Sequence, residues 1–154
     1  MKEIKLQKNR GFTILVAVIV TGMLLIVSFA VVNVAVRQLV IANSNEESQH
    51  AFYAADSGTE CAVYWDFRGA SSPFSTTSVS QISCGTMINQ NVGGGGLGNA
   101  TSTFQINYPK GCAVVQVGKH YISNTLVTII DSRGYNTCAP GAAKKLERAE
   151  KLTY

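Results

Sequence analysis

The chain has 154 residues, 46% of them hydrophobic, and a formal net charge of +4. That length accommodates one modest domain beside a membrane-length segment. Lys2, Lys5, Lys8 and Arg10 against Glu3 put +3 of the charge into the first eleven residues, which leaves the rest close to balanced and excludes a broad basic surface for nucleic acid.

The first predicted element begins directly behind this basic stretch. Gly11 is followed by 25 residues without a charge, Phe12 to Val36. A secretory signal has an apolar core of about 7–15 residues and then a small-x-small cleavage site. Here the run is longer, and it continues as "VRQLVIANSN". Roughly 20 apolar residues suffice to cross a bilayer. Four cations precede the run and only Arg37 follows closely, so the positive-inside rule puts the amino terminus in the cytoplasm and the remainder outside.

Helical character does not stop where the apolar run stops. No proline occurs between Arg37 and Arg68; the first is Pro73. Leu39/Val40, Ala51/Phe52, Ala55, Cys61/Ala62 and Trp65 recur near the spacing of one helix face. The pattern predicts a single helix from about Phe12 to about Arg68, roughly 80 Å long at 1.5 Å per residue. Gly22, Asn33 and Gly58 are the positions where such a helix would bend.

These residues carry a resemblance. "RGFTILVAVIV" resembles the amino-terminal signature of type IV prepilins, a short basic leader ending in Gly, then Phe, then Thr or Ser, then an apolar helix. "ESQHAFYAADSGTECAVYWD", Glu47 to Asp66, is similar to the second half of that helix in PilX-type minor pilins. The resemblance implies cleavage after Gly11 by a prepilin peptidase and N-methylation of Phe12. It also implies packing against other pilin subunits through the helix. Most pilins carry a Glu five residues after the cleavage site, which is thought to pair with a neighbour's terminal amine. That position is Val16 here, as in some tip-located minor pilins and pseudopilins, and this argues against the major subunit.

After Arg68 the composition changes. "GASSPFSTTSVS", Gly69 to Ser80, reads as a loop. "QISCGTMINQNV" reads as a first strand and "GGGGLGN", Gly93 to Asn99, as a flexible turn. "STFQINYP", "CAVVQVGK" and "NTLVTIIDSRGYN" read as further strands. In the first of these, Phe104, Ile106 and Tyr108 alternate with polar residues, the pattern of a half-buried strand. The last stretch, "AAKKLERAEKLTY", has helical propensity. Pilin-like domains finish on an edge strand, and the resemblance therefore predicts a strand.

The fold expected is α+β and pilin-like: a long N-terminal helix, transmembrane in its first half, packed on a small antiparallel β-sheet. Its organisation divides into a leader (1–11), a transmembrane half-helix (12–36), an extracytoplasmic half-helix (37–68) and an antiparallel β domain (69–154).

Cys61, Cys84, Cys112 and Cys138 lie 23, 28 and 26 residues apart, with no C-x-x-C pair of the zinc-site type. Export favours two disulfides. The intervals leave three connectivities open. If the strand starting at Cys112 lies antiparallel to the one ending near Asn136, then Cys112 and Cys138 meet at one end of the sheet, and Cys61 with Cys84 remains.

The chain supplies no catalytic constellation, so it reads as a non-enzyme without cofactor or metal. Gly93, Gly95 and Gly98 spell G-x-G-x-x-G, but a strand-like segment follows where a dinucleotide site needs a helix. His50 falls on the polar side of the helix and His120 in a hairpin turn. Glu46, Glu47, Asp56 and Glu60 form a solvated face or interhelical contacts. Arg133 reads as a surface arginine. The partners implied are prepilin peptidase, other pilin subunits and the membrane, with no nucleic acid indicated. The expected location is the inner membrane, single-pass with the amino terminus inside, and then the surface pilus. The function expected is that of a minor pilin. A type II secretion pseudopilin and a non-polymerising signal-anchored envelope protein are the alternatives.

Overall fold

The computed structural model describes residues 10–69, 71–75, 79–85, 87–93 and 101–154. Of the turn predicted at 93–99, residues 94–99 lie outside them, Gly95 and Gly98 included, as do the leader residues 1–9. The fold is α+β: one long, apolar N-terminal helix and small antiparallel sheets. The helix, α1, spans Arg10–Phe67. Among the described residues six strands follow: β1 (Val79–Cys84), β2 (Met87–Gly93), β3 (Thr101–Tyr108), β4 (Gly111–Ile122), β5 (Thr125–Tyr135) and β6 (Glu147–Thr153). The chain divides into two compact units, Met1–Asn43 and Ser44–Tyr154.

In Ser44–Tyr154 the sheet order is β3-β4-β5-β6, antiparallel throughout, with a separate β1-β2 hairpin. A single first strand was expected over 81–92; the segment folds back on itself instead. Gly85, at φ +58°, supplies the left-handed residue this reversal needs. The β4–β5 connection is the two residues Ser123 and Asn124, both at positive φ, as in a type I′ turn whose twist matches the flanking strands. It lies further along the chain than the turn expected around His120, which pairs with Val127 inside the ladder.

β6 forms although its residues favour helix. It pairs with β5 from Tyr135↔Glu147 to Ile129↔Thr153. Tyr154 adds one more pair, exchanging main-chain bonds of 2.7 and 3.1 Å with Thr128. Tertiary pairing outweighs propensity here. The strand is solvated along almost its whole length, and Glu147, Arg148 and Lys151 line it, charges of the kind that discourage edge-to-edge association.

The helix packs on the sheet through very small residues. Ala51, Ala54, Ala55, Gly58 and Ala62 face inward at helical spacing, and from Ala113 to Val117 and Ser102 to Ile106 the sheet turns alternate side chains toward them. A Cβ on Gly134 would collide with the Ala51 carbonyl oxygen and the Ala55 nitrogen. A Cβ on Gly58 would collide with Ser132 Oγ and sit 2.8 Å from Val115 Cγ2. Ser132 Oγ uses this proximity to donate to the Ala55 carbonyl at 2.7 Å. Phe74, from the loop after α1, completes the core and stacks on Phe104 with ring centroids 6.1 Å apart.

Gly134→Ala is therefore expected to destabilise the fold by at least the about 1–3 kcal/mol typical of overpacking. Gly118→Ala, whose new methyl meets only the Thr101 side chain at 3.4 Å, is expected to cost far less. Thermal unfolding of the two variants side by side checks this, and equal melting temperatures would contradict the close approach.

Candidate assembly surface and its anchoring

The residues singled out for processing and assembly lie in Met1–Asn43. Its described part is one apolar helical segment. Gly11 falls within α1, and Phe12 is 72% exposed just behind it. Val16 is exposed one turn on, at 40%. Between Phe12 and Ser44 the sole charged residue is Arg37. The most apolar stretch has a mean hydropathy of 2.9 and none of it is buried within the chain, so α1 is long and apolar enough to cross a membrane.

Its hydroxyls suit that solvent. Thr21 Oγ1 donates to the Ala17 carbonyl at 2.9 Å and Ser28 Oγ to the Leu24 carbonyl at 2.7 Å, so both are satisfied inside the helix. A hydrocarbon environment leaves no alternative partner, which makes such internal bonds obligatory there.

Ser44–Tyr154 is held by two disulfides. Cys61–Cys84 ties the helix to β1, and Cys112–Cys138 ties the start of β4 to the segment after β5, with Cα separations of 5.9 and 6.0 Å. This is the connectivity that follows from an antiparallel meander. Glu46 accepts from Lys110 Nζ at 3.3 Å and lies 3.5 Å from His50 Nε2. The lysine first, and the imidazole second, hold the Glu46 carboxyl below the usual range. Glu47 accepts from Asn136 Nδ2 at 2.8 Å. Arg133 contacts Asp131 at 3.0 Å and Glu147 at 3.5 Å. Asp56 and Glu60 lie at intermediate and exposed positions on the helix.

One cluster was not anticipated from the sequence. Asp66, 8% exposed, and Lys119, 5% exposed, form a buried ion pair with Nζ 2.8 Å from both carboxylate oxygens. Thr128 Oγ1 accepts from the same ammonium at 2.9 Å. The Asp66 carboxylate also accepts from the Ser72 hydroxyl and, at 2.8 Å, from the Tyr154 hydroxyl. The Tyr154 ring stacks on Phe67 at 5.2 Å. Thus the end of α1, the loop behind it, β4, β5 and the residue after β6 all converge on one carboxylate. The signal was in the alternation: Lys119 follows Ala113, Val115 and Val117 on the inward face of β4. Asp66 likewise falls one turn after Ala62 on the buried stripe of α1.

No protein-family model, no curated protein and no solved structure matches this chain.

The Tyr154 phenol is pushed well above its ordinary value, by burial first and by its bond to the Asp66 carboxylate second. The folded state thus favours the protonated phenol. Its contribution to stability is complete below the unfolded tyrosine pKa of about 10 and is lost as pH rises from there through the raised folded value. Unfolding measured between pH 8 and pH 11 is expected to show a steeper alkaline loss for the native chain than for Tyr154→Phe. Tyr108 and Tyr135, also shifted upward by burial, leave a residual slope in the variant. Identical profiles would show that the Tyr154 hydroxyl bond contributes nothing.

Proposed function

We propose that this chain is a minor pilin subunit of a type IV pilus. In this reading a prepilin peptidase cuts after Gly11 on the cytoplasmic side and the new amine of Phe12 is methylated. The subunit waits in the inner membrane with its amino terminus inside, and is then assembled into or at the tip of the filament through α1. The observation that carries the reading is the Gly11–Phe12 junction at the head of an exposed apolar helical segment long enough to cross a membrane. An α+β fold with that helix at its start and two disulfides behind it is compatible with a pilin-like subunit.

Val16 refines the proposal. An apolar helix passes between a bilayer and an apolar filament core at little hydrophobic cost, so its placement depends on the few polar groups. Val16 offers no carboxylate to a neighbour's amine, and a buried unpaired charge costs several kcal/mol. The subunit therefore belongs at a sparse or terminal position, where no neighbour requires that contact.

Mass spectrometry of the protein recovered from cells tests the processing. The expected spectrum lacks residues 1–11 and carries one methyl group on Phe12, whereas Gly11→Leu retains the leader. Normal maturation of Gly11→Leu would favour a plain membrane anchor. The position is tested separately by quantifying the chain in sheared filaments, where it should fall far below the major subunit. Labelling along the whole fibre would remove the argument from Val16.

A further inference from the structure

A cleft of about 570 Å³ opens where α1 ends, inside the size range of small-ligand sites. Trp65 of α1, Arg68 directly behind it, Ser71 and Ser75 of the following loop, and Ser80 and Gln81 of β1 line it. None of these six is used by the processing or assembly described above, or by the buried Asp66–Lys119 pair.

The framework of the cleft is set before any ligand arrives. The Trp65 indole donates through Nε1 to the Ser83 carbonyl at 3.0 Å, one residue from the Cys61–Cys84 disulfide. The Ser72 hydroxyl donates to Asp66 and accepts from the Phe74 amide at 3.1 Å. The Ser75 amide donates to the Ser72 carbonyl at 3.1 Å, and Phe74 between them is fully buried. Gln81 Nε2 donates across the hairpin to Asn91 Oδ1 at 3.2 Å.

Arg68 is held in another way. Its guanidinium carbon lies 4.9 Å from the Trp65 ring centroid and 5.2 Å from that of Tyr64. Such contacts draw on the charge and leave the N–H donors unspent. Among the described residues Arg68 has no hydrogen bond and no ion pair, and no carboxylate lines the cleft. The Asp66 carboxylate nearby in sequence is occupied by Lys119, Ser72 and Tyr154. Lys110, Lys119 and Arg133, in contrast, each contact a carboxylate. The hydroxyls of Ser71, Ser75 and Ser80 are likewise without a partner among the described residues.

These features select a ligand. One uncompensated guanidinium, with its donors in a planar fork, matches one carboxylate, whose two oxygens accept side by side. A phosphate dianion would bring two charges to a cleft that supplies one. Serine hydroxyls both donate and accept, so they complement hydroxyl groups on the body of the ligand rather than an apolar chain. We propose that this cleft binds a small hydroxylated monocarboxylate, with its carboxylate on Arg68 and its hydroxyls on Ser71, Ser75 and Ser80. The two rings already hold the guanidinium, which lowers the ordering cost of binding.

Trp65 is the single tryptophan of the chain, so its emission reports on this cleft. The test titrates millimolar gluconate into the full chain in phosphatidylcholine nanodiscs, in mildly alkaline buffer of constant ionic strength. Sorbitol, which differs from gluconate in lacking the carboxylate, and inorganic phosphate, a dianion in that buffer, are the comparison probes. Saturation-transfer NMR is expected to detect gluconate and not sorbitol, and gluconate is expected to change Trp65 emission saturably. Arg68→Gln is expected to weaken gluconate binding about tenfold, or about 1.4 kcal/mol. Lys151→Gln, an equal loss of charge on exposed β6, is expected to leave it unchanged. Circular dichroism and intact disulfides report whether each variant is folded. Absent transfer to gluconate, equal transfer to sorbitol, or undiminished binding in folded Arg68→Gln overturns the proposal. Displacement of gluconate by an equal or lower concentration of phosphate overturns the choice of a carboxylate. Binding that leaves Trp65 emission unchanged, or that weakens equally in Lys151→Gln, overturns the assignment to this cleft.

Discussion

The organisation of Ser44–Tyr154 depends on how closely α1 approaches the sheet. Backbone meets backbone at Gly134, where the Ala51 carbonyl and Ala55 amide occupy the space a side chain would need. Gly58 repeats the arrangement from the helix side against Ser132 and Val115. With no bulky side chain between the layers, the sheet serine reaches the helix main chain at Ala55. Larger residues, Phe74, Phe104, Ile82 and Val92 among them, belong to the same hydrophobic core as Ala54 and Ala62. The tightness has a consequence for sequence tolerance. In a seam of alanine and glycine, enlargement rather than truncation is the damaging change, the reverse of a leucine-rich core.

The same close approach explains how a charged pair is housed in the interior. At the end of α1 the stripe of small residues gives way to Asp66, and in the same layer the inward alternation of β4 arrives at Lys119. Taking two such ions out of water costs several kcal/mol each, and their attraction offsets this only when the remaining lone pairs and protons are satisfied. Here they are: Thr128 takes one ammonium proton, while Ser72 and Tyr154 donate to the carboxylate. Removing a single partner is costly in such a site, about 3–5 kcal/mol, because the other charge stays behind. Hydrogen-bonded ions also tolerate less sliding than hydrocarbon. The pair thereby defines where the end of α1 sits along β4, and the Tyr154 hydroxyl extends that definition to a strand with few buried anchors of its own.

Much of this was legible in the sequence, for identifiable reasons. The unbroken helix followed from 25 uncharged residues and the lack of proline up to Pro73. β3 was evident because Phe104 and Ile106 alternate with Thr103, Gln105 and Asn107, and all five take the faces expected. The cystine pairing followed from sheet topology rather than from the cysteine intervals. Other features were hidden by local ambiguity. The β1–β2 reversal has a single glycine, Gly85, in place of a strong turn dipeptide. The Ser123–Asn124 turn lacks glycine altogether, and so the ladder runs three residues beyond Lys119, carrying His120 with it. β6 is a helix former whose state is decided by an open β5 edge, a long-range fact absent from any local window. The Glu47–Asn136 pair joins residues 89 apart in sequence, and only folding brings them together.

The first part of α1 poses the opposite problem from the seam. Its apolar side chains are exposed in every direction, as suits a helix surrounded by hydrocarbon or by other helices. Such a surface has little preference for one rotation over another, because each face offers similar dispersion contacts. Orientation must then come from the exceptions. Thr21 and Ser28 are not among them, since their hydroxyls are spent on their own carbonyls. What remains is Gly22, with open space where a Cβ would stand and room for a neighbouring backbone, together with Asn33 and Arg37 further along the helix. Small residues allow close helix contact in membranes and polar ones add direction to it. With Val16 and its apolar neighbours at the start of the helix, unspent polar character is confined to these later positions. A helix of this build, among hydrocarbon or other helices, is oriented less by charge at its start than by steric fit and amide hydrogen bonding several turns further on.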